Sequence, residues 1–124
     1  RPSPRQALRC VMAGPHAKFD VLLTEGAEQD LESLHDYIAD HDCRANADNL
    51  LDQLTDVVAD LARFPERGTY PRELVALGIK EYRQVTVAPY RVIYRVLGKQ
   101  VIIYVVADGR RDMQAVLSRR LLGG

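Results

Sequence analysis

Glu81-Tyr-Arg-Gln-Val-Thr-Val-Ala-Pro-Tyr-Arg-Val-Ile-Tyr-Arg-Val-Leu-Gly-Lys-Gln-Val-Ile-Ile-Tyr-Val-Val-Ala107 decides the fold. Three runs rich in β-branched and aromatic residues, 81–87, 90–97 and 100–107, are separated only by Ala88-Pro89 and Gly98-Lys99. Connections of about two residues join antiparallel neighbours and nothing else. Pairing Val87 with Tyr90 sets Thr86 opposite Arg91 and Gln84 opposite Ile93. Period two then places Tyr82, Gln84, Thr86, Arg91, Ile93 and Arg95 on one face, and Val85, Val87, Tyr90, Val92, Tyr94 and Val96 on the other. The second face is apolar and is expected to take the helices. Pairing Leu97 with Gln100 puts Arg91 opposite Val106, beside the exit of Asp108-Gly-Arg-Arg-Asp112 from the sheet.

Upstream of the hairpins, residues 19–23 read as a short strand closed by Thr24, a residue suited to cap the helix that follows. Ala27, Leu31, Leu34 and Ile38 recur at helical spacing, with Glu28, Asp30, Glu32 and Asp36 off the stripe. After a polar break at residues 40–44, a second stripe runs through Ala47, Leu50, Leu51, Leu54, Val57, Val58 and Leu61 until Pro65 stops it. Residues 64–78 form a loop with a short turn expected at 73–77. Downstream, a last helix starts at Asp112 and carries Ala115, Val116, Leu117, Leu121 and Leu122. The order β-α-α-β-β-β-α describes an α+β domain, a two-helix hairpin packed as one layer on a twisted antiparallel sheet.

The chain has 124 residues, 47% of them hydrophobic and 27% charged, which suits one compact domain and excludes disorder. Its longest apolar run, 101–107, has the length of a strand, so no membrane segment is expected. Residues 1–18 lack the apolar stretch of a signal peptide and read as a basic arm or leader, with Met12 an alternative start and residues 19–124 the domain proper. Two cysteines, Cys10 and Cys43, make no disulfide framework, and the cytoplasm is the expected setting. The formal net charge of zero conceals an asymmetry. Residues 1–18 hold four bases and no acid, 19–61 twelve acids and one base, and 62–124 twelve bases and five acids. A folded chain of this kind has an acidic and a basic side.

On the basic side, Arg91, Arg110 and Arg111 are expected to gather at one sheet edge. Arg83 is added as a candidate although its alternation points it the other way. Arginines among polar neighbours suit phosphate recognition; pairing of Arg110 or Arg111 with Asp108 or Asp112 is the structural alternative. Asp48, Asp52, Asp56 and Asp60 repeat every four residues but have no His or Cys beside them, so they read as a solvated face. His41-Asp42-Cys43 lacks further ligands and reads as a polar turn. No metal or other cofactor is implied.

The element order, the strand 81–87, the segment Pro89-Tyr-Arg-Val-Ile-Tyr-Arg-Val96 and the strand ending Val105-Val-Ala-Asp-Gly-Arg-Arg-Asp112 together resemble the RelE/ParE superfamily of bacterial type II toxins. The resemblance spans residues 19–122. It implies a toxin that arrests growth and is neutralised by a cognate antitoxin wrapped around it in a hetero-oligomer.

Two targets are known in the superfamily, and the resemblance implies one of them: the ribosome with its mRNA, cut by RelE-like members, or DNA gyrase, inhibited by ParE-like members. Arg91 matches the RelE-like arginine at the head of the third strand and Arg111 a basic position after the last strand. With Arg83 they form the candidate catalytic set, and Tyr82, Gln84, Thr86, Arg95 and Arg110 the candidate target-binding set. Gln84 and Thr86 stand where the nuclease branch has lysines, and Leu117 where it has a tyrosine. His16, His35 and His41 all precede the sheet. Cleavage by a 2′-hydroxyl needs a proton acceptor, a role that arginine, with a pKa above about 12, fills poorly. The balance tilts to gyrase, with Tyr82, Tyr90, Tyr94 or Asp108 as remaining candidates to assist a nuclease. A non-toxic relative that binds an antitoxin or regulator as an adaptor is the third class.

Overall fold

The computed structural model describes residues 8–12 and 19–122. In chain order these form β1 (Leu8–Met12), β2 (Asp20–Thr24), α1 (Glu25–His41), α2 (Arg44–Arg63), α3 (Arg72–Val75), β3 (Arg83–Val87), β4 (Tyr90–Leu97), β5 (Gln100–Asp108) and α4 (Met113–Leu121). Local chemistry sets the boundaries. The Thr24 hydroxyl accepts the Ala27 N–H at 3.1 Å, and Glu25 and Glu28 lie in the first turn of α1, where the helix dipole favours negative charge. Asp112 caps α4 in the same way, accepting from Ala115 N at 3.2 Å.

One sheet of order β1-β2-β5-β4-β3 results. β3–β4–β5 is the expected meander, with Val87 opposite Tyr90, Thr86 opposite Arg91 and Leu97 opposite Gln100. Two features extend the expected sheet. β1, within the segment read as an arm, pairs antiparallel with β2 at the sheet edge, and β2 pairs parallel with β5. A third difference corrects the register. Ile93 faces Val105 but Tyr94 faces Ile103, so Tyr104 is an extra residue in β5 and Arg91 lies opposite Ala107, not Val106. Turn arithmetic cannot detect a bulge inside a strand.

Both sheet faces are covered, whereas one layer of helices was expected. The apolar face packs on α1 and α2, where Leu50, Leu54, Val58 and Leu61 meet Val92, Tyr94, Val101, Ile103 and Val106. Across the sheet, Tyr82, Ile93, Val105 and Ala107 pack with Leu74 of α3 and with Met113, Val116, Leu117 and Leu121 of α4. Tyr82 and Ile93, assigned to an open face, are buried there. Leu117 explains why: where a polar side chain would keep α4 open to solvent, this helix presents a fully buried leucine.

The pairing of β2 with β5 stops at Ile103, leaving polar backbone groups beyond it to be satisfied. Asp30 of α1 and Arg120 of α4 take their place. Asp30 Oδ2 accepts from Val106 N at 3.0 Å, Arg120 Nη2 donates to the Tyr104 carbonyl at 3.1 Å, and the two side chains join each other at 2.9 and 3.0 Å. Gly26 makes room: a Cβ there would lie 2.7 Å from Arg120 Nη2.

Tyr94, 0% exposed, anchors the loop after α2. Its hydroxyl donates to the Pro65 carbonyl at 2.7 Å and accepts from Gly68 N at 3.0 Å, while burial pushes the phenol pKa up and keeps it protonated. Tyr94→Phe should leave both loop groups unpaired and lower stability by about 1–3 kcal/mol in urea denaturation. An unchanged midpoint would mean that the loop is held by other contacts.

Candidate functional site

Arg91, expected as an exposed cation, is a nearly enclosed one. Its side chain is 11% exposed and that of its partner, Glu73 of α3, 14%. Nη1 and Nη2 donate to the two carboxylate oxygens of Glu73 at 3.0 and 2.9 Å, and Nε donates to Gln84 Oε1 at 2.7 Å. This fork-to-fork geometry is the strongest form an arginine–carboxylate pair takes. Gly109 closes the other side. A Cβ there would stand 2.8 Å from Arg91 Cδ and 3.1 Å from the Pro89 carbonyl, so the turn after β5 packs directly on the arginine stem. Gln84 does lie beside Arg91, as expected from the hairpin, but as an internal hydrogen-bond partner.

Arg83, Arg95, Tyr82 and Arg110 are also engaged within the chain, whereas Arg111 and Thr86 are exposed. Arg83 turns to the opposite face, as its alternation requires. There it donates to the Glu66 and Gly68 carbonyls and to the Tyr70 hydroxyl, with its guanidinium 4.7 Å from the Tyr70 ring centre. Arg83 therefore does not join Arg91. Arg95 lies over the Tyr82 ring and 3.9 Å from Glu81. Tyr82 and Tyr104 meet edge to face, with centroids 5.5 Å apart, on the face covered by α3 and α4. Arg110 is 76% exposed and chelated by Asp108, with the shortest contact 2.6 Å; this holds the Asp108 carboxyl below the usual range. Arg111 is exposed, and its backbone N–H bonds the Asp108 carbonyl at 3.1 Å. Thr86 is exposed on the edge strand.

Of the groups considered to assist a nuclease, Tyr94 is buried and committed to the loop, and Asp108 is committed to Arg110. The acidic face of α2 is solvated, as read: Asp48 accepts from His35 at 2.9 Å and Asp60 pairs with Arg63 and Arg67. Cys43 is a free, exposed thiol, and no group of three or more His, Cys, Asp or Glu among the described residues could hold a metal. No described helix is long and apolar enough to cross a membrane.

Glu73 is the residue that sequence reasoning missed. It falls in a loop with no periodicity to assign it a face. Its signal is scarcity: residues 62–124 hold five acids against twelve bases, and Glu73, Glu81 and Asp108 each face an arginine.

The sequence profile of the ParE toxin of type II toxin-antitoxin systems, parDE, matches residues 21–113, well over half the chain. The chain belongs to the ParE toxin family. A chain of the chromosomal ParDE TA system from P. aeruginosa shares the fold, with a TM-score of 0.61 at 18% identity over 73% of this chain and 96% of that one. No curated protein sequence matches. This ParE-family chain is thus the toxin component of a type II system. The matched segment runs from β2 to the first residue of α4 and includes Glu73, Gln84, Arg91 and Gly109.

Glu73 has its pKa lowered, chiefly by the hydrogen-bonded Arg91 guanidinium. A carboxylate with a depressed folded-state pKa contributes stability that is present above its unfolded value and is lost as pH falls through the folded value. Between about pH 6 and about pH 3 the wild type should therefore lose more stability than Glu73→Gln, measured by urea midpoints. Parallel curves would show that the pair contributes nothing to folding.

Proposed function

We infer that this ParE-family toxin arrests growth by inhibiting DNA gyrase rather than by cutting ribosome-bound mRNA, and that a cognate antitoxin neutralises it in a toxin–antitoxin hetero-oligomer. The carrying observation is the internal commitment of the arginine that a RelE-like reaction would need. Phosphoryl chemistry requires cations free to meet developing negative charge and a group to accept the 2′-hydroxyl proton. Arg91 spends its fork on Glu73 and its Nε on Gln84, Arg83 faces the other way, and Asp108 already neutralises Arg110. Releasing Arg91 would leave a carboxylate without its partner in a largely enclosed setting, which opposes recruitment of the arginine to a phosphate. The membership in the ParE branch supports the same target.

Inducible expression should halt growth, and co-expression of the neighbouring small gene should restore it. The purified protein should inhibit gyrase supercoiling while leaving ribosome-bound message intact. Cleavage of that message with normal supercoiling would reverse the assignment. Normal growth at confirmed soluble expression would instead favour the adaptor reading.

A further inference from the structure

We propose that the cleft between the α1–α2 turn and the start of β4 binds an extended, basic peptide segment of a partner protein. The cleft has a volume of about 540 Å³ and lies apart from the Arg91–Glu73 pair. Its lining combines the apolar Ile38 and Leu50 with aromatic rings and with carboxamides.

Tyr37, His41 and Tyr90 supply the aromatic rings. Tyr37 is 62% exposed, yet it is held in place: the His41 ring stacks on it at 4.2 Å and 21°, and His41 Nδ1 donates to the Tyr37 carbonyl at 3.0 Å. An exposed but fixed aromatic face is ready to receive an alkyl chain or a guanidinium without a further ordering cost.

Asn46, Asn49 and Gln53 project along one side of α2 at spacings of three and four, so they form a row on successive turns. Seven residues of helix rise about 10 Å, the length of about three residues of extended chain. Each carboxamide offers a donor and an acceptor, the complement of a peptide group. The Asn46 side chain donates to Asp42 at 2.7 Å, and the side chains of Asn49 and Gln53 make no hydrogen bond among the described residues. The two free amides, Asn49 and Gln53, can therefore take the backbone of an extended chain while the aromatic residues take its side chains.

Charge selects the sequence class. Residues 19–61 hold twelve acids and one base, Arg44, and Asp42 lines the cleft itself. Arg110 acts electrostatically on Tyr37 and Tyr90, but its charge is answered by Asp108. An arginine side chain stacked on Tyr37 or Tyr90 near Asp42 gains from both the ring and the carboxylate.

The test uses the full chain and a blocked hexapeptide of alternating arginine and alanine, with a glutamate-for-arginine peptide as control, in calorimetric titration at low salt. The arginine peptide should bind and the glutamate peptide should not. Tyr37→Ala and Asn49→Ala, both at exposed positions, should each weaken binding at least about fivefold with circular dichroism unchanged. Asp56→Asn, on the same acidic helix but outside the cleft, should change it less than about twofold. Binding unaltered by Tyr37→Ala and Asn49→Ala, or weakened as much by Asp56→Asn, would reduce the effect to general attraction and overturn the proposal. A marked gain in affinity on replacing Arg1 and Arg5 by Ala would assign the cleft to the chain's own basic segment and overturn it too.

Discussion

The bidentate contact between Arg91 and Glu73 joins four parts of the chain that have no local reason to meet. Arg91 comes from β4, Gln84 from β3, Glu73 from the four-residue helix α3 and Gly109 from the turn after β5. A helix of one turn has no stability of its own, so α3 depends on tertiary contacts. Leu74, buried beside Glu73, supplies the apolar half of that docking and the ion pair the polar half. Together they bring the loop between α2 and β3 down onto the sheet, and with α4 they bury the face that would otherwise stay open.

A second polar pair does comparable work on the other side of the molecule. Asp30 and Arg120 connect α1, below the sheet, with α4, above it, and both reach the edge of β5 where its partner strand ends. β5 is therefore the common wall of both cores: Val101, Ile103 and Val106 face one, and Val105 and Ala107 the other. The Tyr104 bulge lets two successive residues, Tyr104 and Val105, serve the same face while the rest of the strand alternates.

Much of this was legible in the residues. Two-residue connections and period-two alternation yield the meander and both face assignments, and the stripes through Ala27–Ile38 and Ala47–Leu61 yield the helical hairpin. Thr24 and Asp112 announce their helices by capping chemistry alone. What escaped is tertiary in origin. The bulge adds a residue inside a continuous apolar run, and β1 is defined by pairing with β2 instead of by its own pattern. Burial of the second face depends on Leu74 and Leu117 arriving from distant segments. Arg83 and Arg91 lie on the faces that alternation assigns them, yet their availability was not visible, because it depends on Glu73 and on loop carbonyls that carry no sequence pattern.

These placements change what the basic half of the chain is for. Arg83 and Arg91 hold loops to the sheet and Arg110 is chelated within its own turn, whereas Arg111 stays exposed. The most direct test exchanges the charges at the central pair in a double variant, Glu73→Arg with Arg91→Glu, since Gln84 can rotate its amide to donate to a carboxylate as readily as it accepts from a guanidinium. Growth arrest and urea stability should both be depressed in each single variant and largely restored in the double one. A double variant that folds stably but no longer arrests growth would show that position 91 acts on the target as a cation, and would contradict the account.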